Sequence, residues 1–204
     1  MLDLFILVMG SKDRILRQKE ETRCKILDAA YRIVKAEGWQ GLNMRKIADD
    51  IEYTPPVIYE HFSNKDAILK EITRKGFLQL YGELKDLKEK FADSGELLEA
   101  MWMTFWNFAF KNREMYQVMF GVEMACCMMK VPEAELQYQL FLDTISEVMP
   151  EHAVADVVKQ KYFTFFSVVH GLISINIVGD GLGGDMNTQI LKDAIGGIIQ
   201  SIKA

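Results

Sequence analysis

Apolar positions along the chain recur at three- and four-residue intervals, and no run alternates with a period of two between turn residues, so the sequence predicts an all-α protein. Met44, Ile47, Ala48 and Ile51 make one apolar face of a helix of about two turns, with Asn43 in front as a candidate N-cap. The pattern breaks at Glu52-Tyr53, and Thr54-Pro55-Pro56 restarts it, because prolines in a first turn cost little where amides have no intrahelical partner. Val57, Ile58, Tyr59, His61 and Phe62 follow, and Ser63-Asn64 precedes a third helix at Lys65. Two short helices around a tight turn, the second carrying Tyr and His near a basic residue, form the pattern of a helix-turn-helix reading element.

Upstream, Ile26, Leu27, Ala30, Ile33 and Val34 form a stripe that predicts a helix from Arg17 to Glu37, stopped by Gly38. Trp39 and Leu42 are expected to plug the small core. Downstream, a stripe from Ile68 to Leu87 predicts one helix from Lys65 to about Phe91, roughly 40 Å long at ~1.5 Å per residue. An aromatic-rich helix follows from Ser94 to Lys111, then a short one ending at Gly121, and another from Pro132 to Pro150. From Tyr162 to Gly179, 18 residues pass without Asp, Glu, Lys or Arg. That length touches the membrane threshold, but its Ser, Thr, His and Asn favour a helix buried on two sides. A final helix carries Ile190, Leu191, Ala194, Ile195, Ile198, Ile199 and Ile202, with Gly196 and Gly197 tolerable if another helix packs closely. Two such helices per subunit predict a four-helix dimer interface.

Composition changes this picture at one point. The net charge of −5 argues against nucleic acid until it is divided. Gly10 to Lys75 holds 14 Lys and Arg against 11 Asp and Glu, a net +3, which leaves −8 for the remainder. We therefore expect a DNA-binding domain over residues 10–75 and a ligand-binding and dimerisation domain over 76–204. Residues 1–9 are read as an over-called leader or an N-terminal arm, since MLDLFILVM lacks a basic start. A cytoplasmic location is expected, and no cofactor.

The run Ile26 to Leu69 resembles the TetR family of bacterial transcriptional repressors: Ala29-Ala30, Gly38, Ile47-Ala48, Tyr59-x-His61-Phe62 and Lys65 fall at the family's spacing. Phe166 to Ile175, FSVVHGLISI, is similar to the His-Gly segment of one subfamily, with Phe166 where Trp is usual. Two departures stand out. Glu52 occupies the turn position where the family has Gly, so a φ above zero there would strain it by roughly 1 kcal/mol. Pro56-Val57 replaces Gly-Thr, and Val57 offers a base only apolar contact.

The resemblance implies phosphate contacts from Asn43, Tyr59 and Lys65. It implies a major-groove surface of Arg45, Thr54, Pro55, Pro56 and Val57, with His61 at the backbone or a base edge. Packing or capping within the small core competes for Tyr59 and His61, and a solvated helix face for Arg45. A homodimer on a palindromic double-stranded operator would space its half-sites by one turn, ~34 Å, or somewhat more. A small, largely apolar effector would release it. Candidate pocket residues are Trp102, Met103, Phe105, Trp106, Tyr116, Met119, Phe120, Met124, Phe166 and His170, each of which could equally be core.

A thiol- or metal-responsive regulator using Cys126 and Cys127 is a weaker alternative, since no further ligand lies near them in sequence. An all-α enzyme finds no paired carboxylates, no Ser-His-Asp set and no phosphate loop, because GDGLGGD lacks the lysine.

Overall fold

Helix α1 runs from Ser11 to Glu37, so the charge-dense segment before Arg17 is helical too and adds turns to the expected element. Its charges stay in solvent except the half-buried Arg23, while Ile26, Leu27, Ala30, Ile33 and Val34 are buried as the stripe requires. This computed structural model describes residues 11–121, 131–150, 154–178 and 184–203. Among them it contains α2 (Met44–Asp50), α3 (Pro55–His61), α4 (Lys65–Lys85), α5 (Ser94–Lys111) and α6 (Arg113–Phe120). The chain continues with α7 (Glu133–Val148), α8 (Ala155–Val178) and α9 (Gly184–Lys203), and the fold is all-α.

The chain divides into two compact units, Met1–Ile72 and Thr73–Ala204, with α4 contributing residues to each. In the first unit α2 packs on α1 and α3, closing a small core around Ile47, Ile58, Phe62 and Leu42. Trp39 lies only half-buried, in a single 3-10 turn spanning Trp39–Gly41, so Leu42 alone of the expected pair fills that core.

Helix α4 stops six residues short of Phe91. Beyond Lys85 only Leu87 interrupts the charges, and the backbone closes into i→i+3 turns such as Leu87 to Leu84 and Lys90 to Leu87. A segment with so little to bury gains nothing from continuing as a packed helix.

In the second unit α5 packs against α6, α7, α8 and α9. Its N-cap Asp93 accepts from the Glu96 amide, and that bond, helped by Lys203, holds the carboxyl below its usual range. Trp102 sits at the centre, wholly buried, stacked between Phe141 at 4.2 Å and Phe165 at 5.3 Å. Helices α8 and α9 are joined by a buried amide pair: Asn176 Nδ2 donates to Asn187 Oδ1 at 3.1 Å, and Asn187 Nδ2 returns the bond at 2.6 Å. Arg113, at the start of α6, donates to the Ile177 carbonyl at 3.0 Å and so satisfies an orphan acceptor at the end of α8. No helix among the described residues is long and apolar enough to cross a membrane.

Candidate nucleic-acid interface and effector cavity

The turn between α2 and α3 is built on Glu52, whose φ is 58°. The Tyr53 amide donates to Ala48 O at 2.9 Å and the Glu52 amide to Asp49 O at 3.4 Å, which is a Schellman closure with Glu52 in its left-handed position. The conditional expectation at this residue is therefore met. An exposed glutamate holds a conformation that glycine adopts without cost.

Asn43 caps α2 by accepting from the Lys46 amide at 2.9 Å, which leaves its own amide hydrogens available in solvent. Pro55 and Pro56 occupy the first turn of α3. Thr54 stands at the N-cap position but its hydroxyl makes no capping bond. Only Ile58 of this helix is deeply buried, which anchors α3 by one point and turns the rest outward. Tyr59 is 54% exposed, Arg45, Thr54 and Pro56 are exposed, and Pro55, Val57 and His61 are half-covered.

Lys65 is held at the start of α4 beside the first unit's 3-10 turn. Its Nζ donates to Gln40 O at 3.4 Å and lies 5.2 Å over the Trp39 ring. Asn64 caps the same helix by accepting from the Ala67 amide. Ion pairs Arg32–Asp50 and Lys46–Glu37 tie α1 to α2, and Arg23 lies 4.4 Å over Phe62.

Two clefts stand out among the described residues of the second unit. The larger, about 530 Å³, is walled by Phe77, Phe120, Tyr138, Tyr162, Phe163 and Phe166, with Val131, Pro132, Ala134, Glu135 and Gln137 completing it. The smaller, about 200 Å³, is lined by Tyr116, Gln117, Phe120, Gly121, His170, Ser174 and Ile177. Tyr116 Oη and His170 Nδ1 are hydrogen-bonded at 2.6 Å. Burial pushes the Tyr116 and Tyr162 hydroxyls up, beyond the ordinary range for a phenol, and pushes His170 down, so all three are neutral groups at neutral pH.

Of the candidate pocket residues, Tyr116, Phe120, Phe166 and His170 line these cavities. Trp102, Phe105, Trp106 and Met119 are buried in the packed interior, Met103 is half-buried, and none of the five lines either space. Met124, Cys126 and Cys127 lie outside the described residues, as do residues 1–9. Cys24 is free and exposed, and no group of three or more metal-ligating side chains occurs among the described residues.

Sequence reasoning passed over Tyr138, Tyr162, Phe163 and Gln137. Tyr162 and Phe163 open the uncharged run, and Tyr138 stands one turn before Phe141, but only the packing of α7 on α8 turns them to one space.

A short, outward-facing α3 on a three-helix unit, followed by a helical unit with an aromatic-walled cavity, defines a helix-turn-helix architecture. Comparison with known proteins agrees. Residues 26–72 match the family described as bacterial regulatory proteins, tetR family.

A curated HTH-type transcriptional regulator of Haemophilus influenzae is 23% identical over 131 residues, 64% of this chain and 64% of that one, so the match spans just under two thirds of the relative's length. UidR, an HTH-type transcriptional regulator of Escherichia coli K12, is 24% identical over 94% of this chain and 87% of its own. The crystal structure of a TetR variant from Acinetobacter baumannii in complex with minocycline superposes with a TM-score of 0.67. It is 15% identical, covers 86% of this chain and 93% of its own, and at that identity it bears on fold alone. Residues 26–72 thus carry the tetR-family pattern, and along most of its length the chain is similar to an HTH-type transcriptional regulator.

Proposed function

We propose that the protein is a ligand-responsive repressor that binds a palindromic operator as a homodimer and is released by a small, largely apolar effector. The observation that carries this reading is the pairing of one outward reading helix with an aromatic cavity in the other unit. Asn43, Tyr59 and Lys65 would hold phosphates. Arg45, Thr54, Pro55, Pro56 and Val57 would meet the major groove, and His61 the backbone or a base edge. Tyr59's exposure supports this role over packing in the small core. The free hydroxyl of Thr54 gives the start of α3 a donor that Pro55, Pro56 and Val57 lack.

An uncovered apolar face supports the dimer. Val168, Gly171 and Ile175 on α8, and Met186, Ile190 and Gly197 on α9, follow helical spacing; the four apolar side chains are exposed, and a Cβ built at either glycine would meet nothing within 4 Å. Glycine costs a helix roughly 1 kcal/mol, which close approach of a second subunit's helices would offset.

Induction would run through α6. Its Met115 and Met119 seat on Gly76 of α4 so closely that an added Cβ would stand 2.4 Å from the Met119 sulfur. An effector that shifts Tyr116 and Phe120 would therefore move α4, the helix that begins with Lys65, and change the fit of two reading heads to fixed half-sites. Release needs differential affinity for the two arrangements, and that is what the cavity would supply.

The test is a fluorescence-anisotropy titration of the full chain on DNA from upstream of its own gene, repeated across salt concentrations. Log affinity is expected to fall linearly with log salt. Binding that is absent, or indifferent to salt, overturns the reading.

A further inference from the structure

The two cavities of the second unit share one residue, Phe120, the last of α6. The rest of the partition is a stacked pair: Phe166 faces the larger space and His170 the smaller, their rings 5.1 Å apart and nearly parallel at 6°. Phe120, common to both linings, is the ring whose displacement would join the two spaces end to end.

The joined site has opposite ends. The larger space is mostly aromatic, and the smaller ends in Tyr116, His170 and Ser174. Tyr116 Oη bonds His170 Nδ1 and Ser174 Oγ lies 3.5 Å from Nε2, so the three form one chain with a donor and an acceptor left over whichever way the protons run. If the tyrosine donates, Nε2–H gives to Ser174, whose O–H is the spare donor, and Oη still accepts. If the imidazole donates to the phenol, Ser174 gives to Nε2, the phenol O–H is the spare donor and Ser174 Oγ accepts.

Such a pair suits a hydroxyl, which also gives and takes. Among the described residues, Lys and Arg are absent from the walls of both cavities, and the one charged lining residue is Glu135, exposed at the larger space. A carboxylate brought to this half-covered end would give up part of its hydration and meet no cation on the walls.

We infer that the effector is an uncharged, elongated apolar molecule with a terminal hydroxyl, held at that end by the chain of Tyr116, His170 and Ser174 and along its body by the aromatic space beyond Phe120. This rests on the effector reading given above and assigns the chemical class. Fatty acids and lipophilic amines are the competing classes, and both are charged at neutral pH.

The experiment titrates the full-length protein at pH 7.5 with 1-decanol, decanoate and decylammonium, following heat or intrinsic tryptophan fluorescence. Decanol is expected to bind at least about tenfold more tightly than either ion. Tyr116→Phe, which keeps the ring, and His170→Phe should each weaken decanol by about tenfold, the worth of one hydrogen bond. Phe120→Ala, which removes the partition, should bind decanol at least as tightly as the parent.

Decanoate or decylammonium binding as tightly as decanol overturns the inference, as does no binding of decanol, unchanged affinity in Tyr116→Phe, or a tenfold loss in Phe120→Ala. A parallel operator titration separates the two readings. Decanol that binds without weakening DNA binding supports the cavity's chemistry and overturns induction, whereas decanoate that both binds and releases DNA does the reverse.

Discussion

Tyr116 Oη and His170 Nδ1 stand 2.6 Å apart, so one hydrogen bond joins α6, which seats on Gly76 of α4, to α8, which carries the uncovered apolar face. The cavity, the helix seated on α4 and the uncovered apolar face thus meet at one polar contact within an aromatic surround. Removing His170 strips the buried Tyr116 hydroxyl of this bond, whereas His170 keeps Ser174 beside its Nε2 when Tyr116 is changed.

His170 gives this contact a pH dependence of definite sign. Burial lowers its folded pKa, so the folded protein resists a proton that the unfolded chain accepts near pH 6.5. The stability it contributes is complete above that value and declines as pH falls below it. Urea midpoints should drop between pH 7.5 and 5.5, and the drop should be smaller in His170→Gln. Equal pH dependence in both proteins would remove His170 from the account.

Glu52→Gly should stabilise the protein. Glycine adopts the 58° φ without a Cβ clash, which relieves about 1 kcal/mol and offsets the extra freedom of the unfolded chain. For a chain of this size that corresponds to a melting temperature higher by roughly 2–4 °C. A fall in Tm would mean that the Glu52 side chain contributes something its geometry does not reveal.

Tyr59→Ala and Lys65→Ala are expected to weaken operator binding with little change in melting temperature for Tyr59, which is half in solvent. Loss of the Lys65 charge should flatten the log–log salt slope by about 0.9, whereas loss of the uncharged Tyr59 should weaken binding at an unchanged slope. Lys65 also anchors on Gln40 and Trp39, so its variant should lose some stability as well. An unchanged slope in Lys65→Ala, or unchanged affinity in Tyr59→Ala, would place the phosphate contacts elsewhere on the unit.

Asn187→Ala should cost about 1–3 kcal/mol, because it leaves the buried Asn176 carboxamide oxygen without its donor. Urea unfolding at fixed protein concentration measures this directly. The double variant Asn176→Leu/Asn187→Leu should recover part of the loss, since neither polar group then remains to be satisfied.

Ile175→Arg places a charge on the most exposed part of the α8–α9 face, where Ile175 is 62% accessible. If that face buries a second copy, light scattering should show dissociation to monomer, because an unpaired buried charge is not tolerated. A variant that stays dimeric would move the interface to another surface.

Much of the first unit could be read from the sequence because its information is local. Caps, prolines and i, i+3, i+4 spacing place Asn43, Pro55 and Ile58 within one turn of where they are found, and the departure at Glu52 pointed to the position that carries the positive φ. The same periodicity overran α4 to Phe91, since a stripe does not say whether anything lies against its last turn.

The cavity was less legible for a related reason. Trp102, Phe105, Phe120 and Phe166 are alike in sequence, and each is an aromatic on a helical stripe. Whether such a ring fills the interior, as Trp102 does between Phe141 and Phe165, or walls a space, as Phe120 does, depends on which helices cross above it. The sequence by itself determined the all-α class and the helix-turn-helix of the first unit, through spacing that operates over a few residues. Only the tertiary structure decided that Tyr116 meets His170, and that Tyr138, Tyr162 and Gln137 share a wall with Phe120, because those juxtapositions are set by helix packing between distant segments.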